Sequence, residues 1–452
     1  MKNIAIIGAG LSGTLLAMNL LKNSSSDPVH IKLIDRNKEQ DLGPAYSTNE
    51  DYLLNVPVEI MGALSNDPEH FLKWARKEGV NASHGDYLPR KLYRKYIRKM
   101  YQEAYSEKHE NKSMERFCGE VTDLKINGNQ AIISVKRNGN ITADKVVLAS
   151  GNSLPKNPKT ENGLFIKNKR YIQNPWKPNI FRDLEETDSI IFIGTGQTMV
   201  DLATGLSRKK HKGNMMAISR RGLLPLSQKK VEPYPPFFDE LQRHSRILPI
   251  FQIIRKHMEI ASENGLDPRA VIDSLRPHST AIWMNLLEIE KQRFLRHLYR
   301  HWEIIRSRIP PSSASIIRDL QVSGQLKIVA GRIIDLLPDG NGMIMRYLEK
   351  NLTFEKSDSA RMIINCVGPN LDYEQIDHPL IKNLMGRKLI QSNPVQLGIN
   401  ALPDGSVITK NGIPSKILYT IGVPLRGILW ESIAAPEIRL QAENLARKLL
   451  TD

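Results

Sequence analysis

The apolar pattern of the chain begins with a short unbroken run, KNIAII (Lys2 to Ile7). Lacking polar alternation, it reads as a strand buried on both faces of a parallel sheet. A glycine-rich turn follows at Gly8 to Gly13, and TLLAMNLLK then spaces its apolar residues helically. The next apolar run, HIKLID (His30 to Asp35), ends in an acid. The same grammar returns in DSIIFIGTGQTMVDLATGL (Asp188 to Leu206), which predicts a strand, a turn at Gly194 to Gly196 and a helix. NMMAIS (Asn214 to Ser219) is the strand after it. Two further runs, Asp144 to Asn152 and Ala360 to Asn370, read as strands that finish in glycine. From Lys230 to Pro311 helical periodicity dominates and strand signals are few, so 233–311 is predicted as a helical insert. Within it, Gln292 to Arg308 reads as one helix whose Arg293, Arg296, His297, Arg300 and His301 either meet phosphates or an acidic substrate or form a solvated face, with Phe294, Leu298 and Trp302 packing inward. Near the carboxyl end, Leu418 to Ile421 reads as a strand, followed by Gly422 and a loop leading to a helix near Trp430.

The two glycine turns carry candidate chemistry. In the first, Gly8 allows a tight turn, Gly10 lets the backbone approach a pyrophosphate, and Gly13 permits close packing of helix on strand. The helix start at Leu11 and Ser12 offers amides and the positive end of a dipole to phosphates. Asp35, with Arg36 beside it, stands where ribose hydroxyls would be bound. In the second turn Gly194 and Gly196 match the first two glycines, Gln197 and Thr198 open the helix, and Met199 replaces the third glycine. That replacement predicts looser packing of helix on strand. The following strand ends in Ser219-Arg220-Arg221 and not in an acid, which favours a 2′-phosphate. One loop then holds a resident dinucleotide and the other a visiting NADPH.

Composition adds exclusions. Over 452 residues, 40% hydrophobic and 25% charged, the chain predicts at least two globular domains. Cys118 and Cys366 are the only cysteines and form no Cys-x-x-Cys, which argues against a zinc site, a dithiol centre and a disulfide scaffold. No metal site is predicted. The net charge of +16 is spread without basic runs or a nucleic-acid motif, so no nucleic-acid partner is expected. The glycines of the first loop would break a signal helix, and no apolar stretch reaches 18 residues. A cytoplasmic protein without a transmembrane segment is expected.

The chain resembles the two-dinucleotide flavoproteins, and among them an FAD/NAD(P)-binding oxidoreductase family. The resemblance rests on GPAYST (Gly43 to Thr48), LLNVP (Leu53 to Pro57), HFLKW (His70 to Trp74) and LPRKLYRKY (Leu88 to Tyr96). SRRGLLP (Ser219 to Pro225), RFLRHL (Arg293 to Leu298) and WESIAAPEIRLQAENLA (Trp430 to Ala446) continue it. The second loop also resembles the Gly-x-Gly-x-Ser-x-x-Glu of flavin-containing monooxygenases, with Thr198 and Asp201 for Ser and Glu. FIKNKRYIQNPW (Phe165 to Trp176) departs from the Baeyer–Villiger fingerprint, having Lys167 and Tyr171 where Gly and His belong.

The resemblance implies an α/β chain with two Rossmann-like domains. These are a discontinuous FAD domain (1–158 and 350–452) and an NAD(P) domain (159–349) that carries the helical insert, with the return crossing near Asp339 to Gly342 or a little beyond. It adds Asn55, Val121, Ser150, Gly151, Gly422 and Gly427 to the cofactor contacts. The implied activity is that of an FAD- and NADPH-dependent monooxygenase forming a peroxyflavin from O₂ and oxygenating a small molecule, as flavin N-hydroxylases and FAD-dependent urate hydroxylase do. A dehydrogenase or electron-transfer reductase, a non-catalytic redox sensor and a homo-oligomer stay open. No catalytic side chain is assigned, because the flavin carries the chemistry.

Overall fold

The computed structural model describes residues 1–25, 27–36, 42–47, 51–161 and 163–451. Thr48, the last residue of the GPAYST stretch above, lies outside them. Three sheets organise these residues. In the first, the order is Ser406–Ile408, Pro414–Thr420, Lys145–Leu148, Lys2–Ile7, Val29–Asp35 and Lys112–Cys118. Lys2–Ile7 lies parallel between Val29–Asp35 and Lys145–Leu148, with Ile4 opposite Ile31 and Ile6 opposite Leu33. Both faces are covered, which is why this run shows no alternation. Helix Leu11–Lys22 packs with Arg90–Ser106 and the final helix Ala435–Thr451 on one side. A small antiparallel sheet, Val121–Asn127, Gln130–Val135 and Gly139–Ala143, packs with helix Pro379–Gly386 over the other.

The second sheet repeats the parallel core. Ile190–Ile193 lies between Met215–Ser219 and Met362–Asn365, with Tyr171–Ile172 beyond the latter and the long strand Leu326–Asp339 beyond the former. Gly342–Glu349 and Lys356–Ala360 extend this sheet antiparallel. Asp339 to Gly342, at the near end of the stretch expected to hold the return crossing, is the tight turn of a hairpin inside this sheet, with Asp339 paired to Gly342. Asp-Gly and Asn-Gly between alternating apolar residues favour such a turn. Lys356–Ala360 and Met362–Asn365 fall within 350–452, yet they hydrogen-bond into the second sheet, and the chain leaves it only beyond Asn365.

The helical insert occupies the expected place, with six α-helices from Phe238 to Arg306 between Ser219 and Pro311. The basic segment is not one helix. It breaks at Leu298 (φ −109°, ψ −28°) between Glu288–His297 and Tyr299–Arg306. Just beyond the break Tyr299 lies edge-on to Trp430 (5.8 Å between rings), and Trp302 packs in the same apolar cluster of the insert. The last helix starts at Ala435, later than near Trp430, after a run of turns from Val423.

Candidate functional site

The two glycine loops are built alike, although they lie in different sheets. Gly8 (φ +111°) and Gly194 (φ +109°) both sit in the left-handed region. A Cβ on Gly8 would lie 2.4 Å from the Ala149 carbonyl oxygen, and one on Gly194 would lie 2.7 Å from that of Cys366. Each first glycine is therefore required by its own sheet. The second glycines differ in kind. Gly10 (φ −66°) and Gly196 (φ −89°) are N-caps in extended backbone that any residue adopts. Among the described residues, a Cβ there would find nothing nearer than 3.8 Å and 4.0 Å. Contacts among the described residues explain neither glycine, and each leaves space at the start of a twelve-residue helix. The donor set, backbone amides at a helix N-terminus, suits a pyrophosphate.

The third position separates the loops. A Cβ on Gly13 would lie 1.9 Å from the Gly8 carbonyl oxygen, so helix and loop touch there. Met199 is fully buried at the matching place, within the apolar core of the second sheet. Leu11 is core and Ser12 is buried beneath Gly422, whose Cβ would strike the Ser12 hydroxyl at 2.4 Å (φ +78°). The carboxyl-terminal turn thus lies directly on the first loop.

Asp35 accepts a hydrogen bond from the Ala9 amide (2.7 Å), so this acid fixes the first loop as well as closing its strand. Arg36 is exposed at the strand end. Ser150 meets the Tyr373 hydroxyl (3.0 Å), burial having pushed that phenol up to about 12. Gly151 (φ +60°) faces open space. The Val121 side chain is core, leaving only its backbone for a ligand. Gly427 is walled in by Asn393, and its carbonyl accepts the Trp283 indole N–H (2.9 Å), so packing within the protein accounts for its small size.

Across the two halves, Asn55 Nδ2 donates to Gln197 Oε1 (2.9 Å). Gln197 Nε2 in turn donates to the Ser307 (3.3 Å) and Arg308 (3.2 Å) carbonyls at the end of the insert. Thr198 is half-buried one position on. Ser219 Oγ shares a hydrogen bond with Thr195 Oγ1 (2.9 Å) and accepts from the Gly222 amide (3.0 Å), which shapes the arginine turn. Arg220 is exposed, whereas Arg221 donates to the His297 carbonyl of the insert (3.4 Å). Asp201, the stand-in for the family Glu, pairs with Arg90 (2.7 Å). Burial raises its carboxyl, and the Arg90 guanidinium opposes that shift.

Sequence reasoning missed the partners that meet only in space. Tyr373, Glu303 and Arg426 belong to no motif. Of the basic residues expected to meet phosphates or an acidic substrate, Arg300 comes to rest at the second loop.

Two clefts flank this region. One, of about 300 Å³, lies between the insert (Met284, Glu288, Lys291) and the carboxyl-terminal part (Asn393, Val395, Ile428). The other, of about 330 Å³, is lined by Gly85 to Leu88, Pro311 and Ser312. Neither is lined by a glycine loop. Among the described residues there is no group of His, Cys, Asp and Glu able to hold a metal ion, and no helix is long and apolar enough to cross a membrane. Cys118 and Cys366 are both free thiols.

Residues 5–153 match the family model described as FAD-NAD(P)-binding. No curated protein matches the sequence. Among solved structures, ornithine N-hydroxylase from Kutzneria sp. 744, with reduced FAD, NADP⁺ and L-ornithine, superposes with a TM-score of 0.69 at 11% identity, covering 99% of each chain. Ornithine hydroxylase from Pseudomonas aeruginosa gives 0.67 at 13% identity, over 100% of this chain and 99% of that one. Thioredoxin reductase from T. acidophilum gives 0.54 at 10% identity, again over 100% and 99%. At these identities the likeness is one of fold. The chain thus matches an FAD-NAD(P)-binding family model over residues 5–153 and, over its whole length, has the fold of these solved structures.

Proposed function

We propose that the protein is an FAD-dependent, NADPH-using monooxygenase acting on a small molecule. The observation that carries this reading is the matched pair of loops, each with one glycine the sheet requires and one with open space beside it where a ligand would fit. When bound, the flavin would supply electron transfer from the nicotinamide and activation of O₂. The chain's own contribution is to hold, orient and enclose. The first loop, Ser12 and Asp35 would hold FAD, with Gly151, Arg36 and the Gly422 backbone beside it. The second loop with Ser219, Arg220 and Arg221 would hold NADPH, the arginines selecting the 2′-phosphate. The Asn55–Gln197 bond would keep the two cofactors' sites in register. The insert, packed on Trp430, would exclude water from the space between them.

On this reading the FAD domain comprises the first and third sheets with the residues beyond Asn365, and the NAD(P) domain comprises the second sheet with the insert. The N-hydroxylase neighbours support oxygenation of an amine. The thioredoxin reductase neighbour favours a dithiol reductase, for which this chain, with one buried and one exposed lone thiol, has no residues. Free thiols also suit a reducing cytoplasm.

The test is NADPH oxidation by flavin-loaded protein against a panel of amines, purines and aromatic acids, with peroxide measured alongside. One substrate should raise turnover while peroxide falls and an oxygenated product accumulates. Oxidation that only an added electron acceptor accelerates, with no product containing oxygen from O₂, would replace the monooxygenase by an electron-transfer reductase.

A further inference from the structure

The second loop is not bare on its ligand side. A Cβ on Gly196 would find one atom within reach, Nη1 of Arg300 at 4.0 Å, so a guanidinium from the insert stands before the helix start. Three hydrogen bonds fix that guanidinium. Nη2 donates to the Leu223 carbonyl (2.9 Å) and to Thr195 Oγ1 (3.3 Å) of the loop itself. Nη1 donates to Glu303 Oε2 (2.5 Å) one helical turn on. A guanidinium has five N–H groups, so Nε and one Nη1 proton have no acceptor among the described residues. Glu303 is held in its turn, since its Oε1 accepts the Tyr299 hydroxyl (2.6 Å). That hydroxyl accepts from Arg426 Nη2 (3.1 Å), in the turn that follows Gly422. Burial pushes the Tyr299 phenol up to about 12, so it stays a neutral donor to Glu303.

We propose that Arg300 is a phosphate-binding residue of the second dinucleotide site, contacting the pyrophosphate bridge common to NADPH and NADH, with Glu303 and Tyr299 positioning it. This rests on the reading that the second loop binds a nicotinamide dinucleotide. The amides of Gly196 and Gln197 approach the phosphates from the helix side, and Arg300 approaches from the insert. A guanidinium offers two parallel N–H groups to phosphate oxygens. Arg220 and Arg221, at the strand end, address the ribose instead. The insert therefore completes the nucleotide site as well as covering it, and its Tyr299–Arg426 contact ties that site to the turn lying on the first loop.

The experiment is calorimetric titration of flavin-loaded full-length protein with NADP⁺ and with NAD⁺, comparing wild type, R300A, R300K, E303Q and the R220A/R221A double variant. Flavin absorbance and circular dichroism verify the fold of each. R300A should weaken both nucleotides by a similar factor, on the order of tenfold to a hundredfold for a lost charged contact. R300K should recover part of this, E303Q should bind at least as tightly as wild type, and the double variant should lose discrimination between the nucleotides. Hydrogen exchange at 297–306 should slow when NADP⁺ binds to wild type and not when it is added to R300A. Wild-type affinity in R300A, or a loss confined to NADP⁺, would overturn the assignment while leaving the second loop as a dinucleotide site. A loss in E303Q as large as in R300A would also overturn it, showing the pair to be a structural staple. Failure of wild type to bind either nucleotide would remove the parent reading and this one together.

Discussion

Glycines within one short motif here answer to different constraints, and that separates binding from folding. Gly13 touches the Gly8 carbonyl, so Gly13→Ala must push helix and loop apart, at a cost of about 1–3 kcal/mol. Gly10 has room for a methyl group. Gly10→Ala should therefore melt close to wild type in the apo form and retain less FAD after purification. Thermal melts of apoprotein and flavin-to-protein absorbance ratios measure the two effects. Full flavin occupancy with native affinity in Gly10→Ala would remove the first loop from the pyrophosphate. At the other site, replacing Arg220 and Arg221 with Ala should cost NADPH binding roughly 1.5–3 kcal/mol per charged contact and leave NADH nearly unchanged. Equal use of NADH and NADPH by wild type would show these arginines to be surface charge only.

Between elements, the joints are few and specific. Arg90 on helix Arg90–Ser106 pairs with Asp201 on helix Gln197–Arg208, and both side chains are largely buried. Arg90 also lies over the Trp176 ring (5.4 Å) and donates to the Leu53 carbonyl (3.1 Å). Asp201→Ala leaves that guanidinium without its partner, and about 3–5 kcal/mol of stability should go with it. Chemical denaturation reads this, and a loss below 1 kcal/mol would mean the pair is solvent-relaxed. The insert is fastened by Trp283, which stacks on Trp430 at 4.4 Å between rings and donates to the Gly427 carbonyl. Removing such a buried indole (Trp283→Ala) should cost about 3–5 kcal/mol. If the insert keeps water from the reaction, the same variant should release more peroxide per NADPH than wild type, and Trp302→Ala should do so more weakly. Unchanged coupling in both variants would exclude the insert as a cover.

For the whole molecule, the glycine loops, their helices and the flanking strands were legible because each is a local pattern. An unbroken apolar run, a turn that only glycine can make and a helical period lie within thirty residues of one another, and short-range sterics dictate all three. The helical insert was legible for the same reason. What went unread depends on partners distant in sequence. Asp339 to Gly342 has the glycines and asparagine of a hairpin turn, but that both its strands join the second sheet, and that Met362–Asn365 stays in that sheet, depends on pairing with distant strands. The break at Leu298 is invisible in the periodicity of 292–308, because it is set by Tyr299 and Trp302 packing near Trp430. The Asn55–Gln197 bond and the Arg300–Glu303–Tyr299–Arg426 chain join residues that no spacing relates. The sequence alone determined that the chain has two glycine turns of the kind that bind phosphate, since such a turn is written in consecutive residues. The tertiary structure alone decided which side chains face those sites from the insert and how the two halves are joined, since such contacts exist only once the sheets and helices have packed.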